Sequence, residues 1–236
     1  MNKKIVHRLA VLGTGDTPRV GSTLPQPLID LKKSLHADLI EVPDSVLPDN
    51  MAAREICINA YYNSGIEAEL NGYDGIYINT VGDYGLSDLR RDCSIPVTGA
   101  GEGSIKTALE SGETFSIVTI WPPSMRFIYD EVLSYCGVTE KCLSIHHLSH
   151  DSDLATLGEP DNFVERMQSC GLTTMENIRK ACEKALYKDH AEIVILGCTC
   201  MNPVGAILTN EGLSVIEPMA TGYLYLEKLI KEKFER

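Results

Sequence analysis

Cys198 ends the apolar run Ile193-Val194-Ile195-Leu196-Gly197 and is followed by Thr199, Cys200 and Met201 where a helix begins. A thiol at a strand-to-helix turn feels the partial positive charge of backbone N–H groups that lack a partner within the helix. This favours the thiolate, the form that removes protons and attacks electrophiles. The same N–H groups suit a substrate carboxylate. Taken alone, the residue also fits a buried structural cysteine. Thr80 ends a second run, Gly75-Ile76-Tyr77-Ile78-Asn79, and leads into Val81-Gly82-Asp83-Tyr84-Gly85-Leu86. Its hydroxyl is too weakly acidic to act as a base near neutral pH, but it donates a hydrogen bond. Asp83 can serve as an acid or base, or cap the helix that follows.

Other segments carry weaker chemical signals. Gly99-Ala100-Gly101-Glu102-Gly103-Ser104 follows a strand and opens a helix, but a dinucleotide fingerprint needs glycine where Ser104 stands. Tight packing of a turn is the better reading. Gly13-Thr14-Gly15-Asp16-Thr17-Pro18 is a candidate anion loop, offering Thr14 and Thr17 as hydroxyl donors, and it lacks the lysine of a P-loop. Ser124, after Trp121-Pro122-Pro123, can bind substrate or cap the next helix. His146, His147 and His150 with Cys198 and Cys200 match none of the common zinc spacings, so no metal is expected.

The elements that must position these residues are short β-branched runs alternating with longer amphipathic stretches. Strands are expected at 9–12, 39–42, 75–79, 96–98, 115–120, 143–147, 193–197 and 214–217, and helices at 52–70, 104–110, 126–135, 175–187 and 223–233. Such alternation implies an α/β fold with parallel sheets covered on both faces. The stretch from Ser149 to Asn162 has no apolar period and reads as a surface loop. The succession that follows Gly75 repeats after Ile193: strand, turn, helix, a short Pro-containing strand, helix. Two similar halves follow, 1–112 with 212–236 and 113–211. Thr80 and Cys198 then hold equivalent turns at carboxyl ends of strands, where open α/β sheets bind ligands. If a pseudo-twofold axis relates the halves, the two turns face each other across a cleft.

Composition narrows the partners. A length of 236 residues with 44% hydrophobic content supports a real core, and a formal charge of −12 argues against nucleic acid as a partner. The eight cysteines are spread through periodic segments rather than packed into a small scaffold, and they read as reduced thiols. The N-terminal apolar stretch is broken by His7 and Arg8, as neither a signal peptide nor a membrane span would be, so a cytoplasmic protein without membrane association is expected.

Thr80-Val81-Gly82-Asp83-Tyr84-Gly85-Leu86, Ile95-Pro96-Val97 with Gly101-Glu102, Gly197-Cys198-Thr199-Cys200-Met201 and Ile216-Glu217-Pro218 resemble the aspartate/glutamate racemase superfamily, its hydantoin racemase branch in particular. The similarity runs from about Asp74 to the C-terminus. It implies two pseudo-symmetric, flavodoxin-like parallel-sheet halves with the active site between them, no cofactor, a small carboxylate or hydantoin substrate, and a homodimer or higher homo-oligomer. In that family two cysteines work on opposite faces of the carbon beside a carboxylate or carbonyl. The second maps onto Cys198 and the first onto Thr80, while Cys200 replaces a glycine. Cys198 is thus expected as a lone acid/base, and Thr80 as the second catalytic residue, holding a substrate oxygen rather than acting as a second base. Thr14, Thr17, Val81, Gly82, Asp83, Ser124, Thr199 and Cys200 are expected around the substrate. A single thiol in the second half is similar to the arrangement of arylmalonate decarboxylase, so decarboxylase or isomerase chemistry, or a non-catalytic carboxylate binder, are the alternatives to a racemase-like enzyme.

Overall fold

A computed structural model describes residues 7–13, 24–31 and 36–234. The anion-loop candidates Thr14 and Thr17 lie outside the described residues. The chain divides into two compact units, one of residues up to Gly103 together with those from Gly222 on, the other of Ser104–Thr221.

The first unit carries β1 (Arg8–Gly13), α1 (Gln26–Leu31), β2 (His36–Glu41), α2 (Met51–Leu70), β3 (Gly75–Ile78), α3 (Leu86–Asp92) and β4 (Val97–Gly99), and α4 (Ala100–Ser111) starts in it. Its strands form a parallel sheet in the order β2-β1-β3-β4, with Leu9 opposite Gly75 and Leu12 opposite Ile78. β3 is buried at every position, which is why it reads as a continuous apolar run rather than an alternating one. Helix α2 begins at Asn50, whose side chain accepts from the Ala53 N–H at 3.0 Å. It then buries Cys57, Tyr61, Ser64, Gly65 and Ala68.

The second unit carries β5 (Phe115–Thr119), α5 (Phe127–Cys136), β6 (Cys142–His147), α6 (Phe163–Gln168), α7 (Leu172–Tyr187), β7 (Ile193–Leu196), α8 (Asn202–Asn210) and β8 (Val215–Ile216), and α9 (Pro218–Phe234) starts in it and ends in the first unit. Its sheet is again parallel, in the order β6-β5-β7-β8, with Phe115 opposite Ile193 and Val118 opposite Leu196. Helix α7 buries Met175, Ile178, Cys182 and Ala185, one stripe at helical spacing. Each sheet therefore repeats the same strand order, and β3 and β7 occupy the same place in their sheets. Thr80 and Cys198 each lie two residues beyond the strand end, so the equivalence read from the sequence repeat holds in the topology.

Three of the segments singled out in the sequence differ from expectation. Helix α4 begins at Ala100, not Ser104, so the glycine-rich run is its first turn rather than a free-standing turn. The physical reason is a remote cap: the Asp83 carboxylate, 18 residues upstream, accepts from the Gly101 N–H at 2.9 Å and the Glu102 N–H at 2.6 Å. The stretch from Ser149 contains a 3-10 turn over Asp151–Thr156 and ends in Asn162, which caps α6 by accepting from the Val164 and Glu165 N–H groups. Ser124 does not cap α5, because Arg126 occupies that position and caps with no side-chain bond.

No helix among the described residues is long and apolar enough to cross a membrane.

Candidate functional site

Cys198 is half-buried, in extended conformation, at the end of β7. A 3-10 turn over Thr199–Met201 follows and runs directly into α8. The Cys200 N–H donates to the Cys198 sulfur at 3.2 Å. The sequence-based expectation of reduced thiols throughout is corrected here, because the Cys198 and Cys200 sulfurs are joined in a disulfide with Cα atoms 5.1 Å apart. The tight 3-10 turn brings side chains two residues apart to one side, which the residue spacing alone did not suggest. Cys57, Cys93, Cys136, Cys142, Cys170 and Cys182 are outside any disulfide. Burial pushes the Cys93 and Cys182 thiols up to about 12 and Cys142 up to about 11, so none of these three yields thiolate near neutral pH.

The turn that holds Cys198 is anchored by a relay absent from the sequence reading. Tyr129 is buried, and its hydroxyl donates to the Gly197 carbonyl at 2.8 Å. A tyrosine has one proton to give, so the short bond between Thr119 Oγ1 and the Tyr129 hydroxyl is donated by Thr119. The Trp121 N–H donates in turn to Thr119 Oγ1 at 3.1 Å. Burial keeps the Tyr129 hydroxyl protonated far above neutral pH, so the relay keeps its direction. Nothing in the local sequence around Tyr129 signals this role, since its partner lies 68 residues away.

Gly197 fits the same packing. A Cβ there would meet Thr119 Cβ at 2.5 Å and the Tyr129 hydroxyl at 3.0 Å. Gly197→Ala is expected to destabilise the protein by about 2 kcal/mol, as overpacking in a tight site does. A lowered urea midpoint at unchanged slope is the check, and an unchanged midpoint would show that the relay yields without loss.

In the first unit Thr80 is half-buried, and its Oγ1 is shielded from solvent and makes no hydrogen bond among the described residues. A dry hydroxyl without a partner is unfavourable by about 1–3 kcal/mol, and a ligand oxygen is the kind of group that would relieve it. Val81 and Gly82 are buried, and Gly82 lies against the Tyr84 ring, where a Cβ would collide. Asp83 is fully engaged as the cap of α4, and its backbone sits at φ 46°. Burial pushes its carboxyl up to about 8, opposed by the two N–H bonds. Beside it the Arg90 guanidinium binds Glu102, which also accepts from Thr98 Oγ1 at 2.8 Å. The second unit uses the same device, with Glu217 accepting from the Met219 and Ala220 N–H groups at 2.7 and 2.8 Å to cap α9.

The remaining candidates are dispersed. Ser124 is exposed and bound through its N–H and hydroxyl to Asp151. Thr199 forms part of the turn and Cys200 is bonded to Cys198. The three histidines have separate local tasks. His146 faces Asp189 at 2.6 Å and His150 caps the 3-10 turn after it. His147 Nδ1 lies 2.9 Å from the Trp121 carbonyl, which fixes the proton on that nitrogen. Burial lowers the His147 pKa, and Nε2 is left as a buried acceptor with no partner among the described residues.

A family model described as Asp/Glu/Hydantoin racemase matches residues 47–224. A hydantoin racemase of a Pseudomonas species is 30% identical over 165 residues, covering 70% of this chain and 61% of that protein. The chain spans less than two thirds of the length of the curated relatives it matches. Among solved structures, the allantoin racemase of Klebsiella pneumoniae superposes with a TM-score of 0.75 at 21% identity, over 96% of this chain and 89% of that one. Arylmalonate decarboxylase superposes with a TM-score of 0.60 at 10% identity, over 94% and 92%. At these identities the structural likeness is one of fold.

Proposed function

We propose, from the premise that the chain belongs to the Asp/Glu/hydantoin racemase family, that it is an isomerase-type acid/base enzyme acting without a cofactor on the carbon beside a hydantoin or carboxylate carbonyl, with Cys198 in its reduced form as the proton-transferring group. The observation that carries the reading is the pairing of positions: two parallel sheets of the same strand order present, at the same turn, a cysteine in one unit and a threonine in the other. In the reduced protein the Cys200 N–H and the helix that follows favour a Cys198 thiolate. That thiolate takes the α-proton, the pair of electrons left behind spreads onto the carbonyl oxygen, and the thiol so formed returns a proton to carbon, which exchanges the α-proton; inversion requires the planar intermediate to turn its other face to the thiol before reprotonation. Thr80, whose hydroxyl has no partner among the described residues, is the donor we assign to the developing enolate oxygen. Asp83 is kept for the scaffold, because both its oxygens are occupied.

Threonine at the first turn favours a specific second reading. With one thiol the protein can protonate an enolate formed by loss of carbon dioxide, and a protein of similar fold is by its name a decarboxylase. The two readings separate in deuterium oxide under reductant. The proton spectrum of a 5-substituted hydantoin, allantoin and aspartate is followed for loss of the α-signal, and an arylmalonate is followed for release of carbon dioxide. Exchange at the α-carbon of a hydantoin-class compound is the expected result. Carbon dioxide release without exchange transfers the assignment to decarboxylation, and measurable carboxylate binding with neither reaction leaves a binding protein.

A further inference from the structure

We propose that Cys198 and Cys200 form a reversible oxidative modification site, in which Cys198 reacts with a peroxide and Cys200 resolves the product into a disulfide that a dithiol reopens. The bond between the two sulfurs is the first observation. The second is the position of Cys198, whose sulfur accepts an N–H bond ahead of the turn that opens α8, a setting that raises its thiolate fraction when reduced. Both residues are half-buried rather than sealed. Cys93, Cys142 and Cys182 are held as thiols by burial, so oxidant is directed away from them.

The bond is poorly suited to be a staple. It encloses only Thr199, and closing so short a loop removes little freedom from the unfolded chain. It also joins residues of one turn, so it can open and close without moving another element, while Tyr129 keeps the preceding carbonyl in place. The chemistry balances with a peroxide as oxidant. The Cys198 thiolate attacks one peroxide oxygen, forming a sulfenic acid and releasing hydroxide. The Cys200 thiol then attacks the Cys198 sulfur, forming the S–S bond and releasing water. Two electrons pass from the two sulfurs to the peroxide. A dithiol reverses the bond by two successive exchanges and is itself oxidised.

The consequence for activity rests on the acid/base reading above, because a disulfide sulfur neither takes nor gives a proton. The bond itself does not rest on it. The whole protein is reduced with dithiothreitol, freed of it, treated with hydrogen peroxide, alkylated and mapped by peptide mass, with α-carbon exchange measured on the same samples. Peptides holding Cys198 and Cys200 are expected to carry no alkyl group and to be two hydrogens lighter than the dithiol form, while exchange falls at least tenfold and dithiothreitol restores both. Cys200→Ser, compared with its own reduced form, is expected to lose exchange in excess peroxide without recovery, because an unresolved sulfenic acid proceeds to sulfinic acid. The proposal is overturned if both thiols remain open to alkylation, if Cys198 pairs elsewhere, or if the natural sequence is oxidised beyond recovery. Absence of exchange in both redox states would refute the acid/base reading alone, and the peptide map would still decide this one.

Discussion

Reduced Cys198→Ser protein is expected to exchange the α-proton of a hydantoin about a thousandfold more slowly than the reduced natural sequence, the scale on which positioned acid/base groups act. A serine hydroxyl offers almost no alkoxide near neutral pH, whereas a thiol ahead of the turn that opens α8, with an N–H bond to its sulfur, is in a setting that favours the thiolate. The substitution is nearly isosteric at a half-buried position, so the loss should fall on kcat and leave KM close to its starting value. Steady-state exchange kinetics with a urea melt as control make the check. Activity within tenfold of the natural sequence would remove Cys198 from the chemistry.

Asp83→Ala should be strongly damaging to the first unit, lowering the unfolding free energy by on the order of 3 kcal/mol, since it strips two buried N–H groups of their acceptor. The same carboxylate sets a pH dependence. Its folded-state pKa of about 8 lies far above the roughly 3.9 expected of an unfolded aspartate. The folded chain therefore keeps a proton that the unfolded chain has released throughout that interval. The contribution is fully present below about pH 4, declines as pH rises toward 8 and levels off above it. Asp83→Asn cannot titrate, so unfolding free energy measured in urea between pH 5 and pH 8 should lose this downward slope. A slope equal to that of the natural sequence would mean that the two N–H groups hold Asp83 ionised.

The strands and the longer helices were legible because parallel sheets leave continuous apolar runs, as in Ile76-Tyr77-Ile78 and Val194-Ile195-Leu196, and amphipathic helices leave a stripe, as in α7. The short helices α1 and α6 were not, since six residues carry too little period to separate from loop. The start of α4 was hidden because its cap comes from Asp83 across the sheet order and not from a neighbour in the chain. The matching turn positions of Cys198 and Thr80 could be found from strand-to-turn position and internal repetition. The Thr119–Tyr129–Gly197 relay could not, because it is assembled from residues that share no local pattern. The disulfide is not legible in the sequence, because the side-chain directions within the turn that follows Cys198 belong to three dimensions.

The hydroxyl of Thr80 bonds to nothing among the described residues, while Asp83, in the same turn, ties that turn to the start of α4. Under the proposed function, architecture and chemistry fall to different side chains three places apart, and a lineage can exchange the residue at position 80, and with it the outcome for a substrate carbanion, without first rebuilding what holds the loop. The turn behaves as a socket whose contents are inherited separately from its frame.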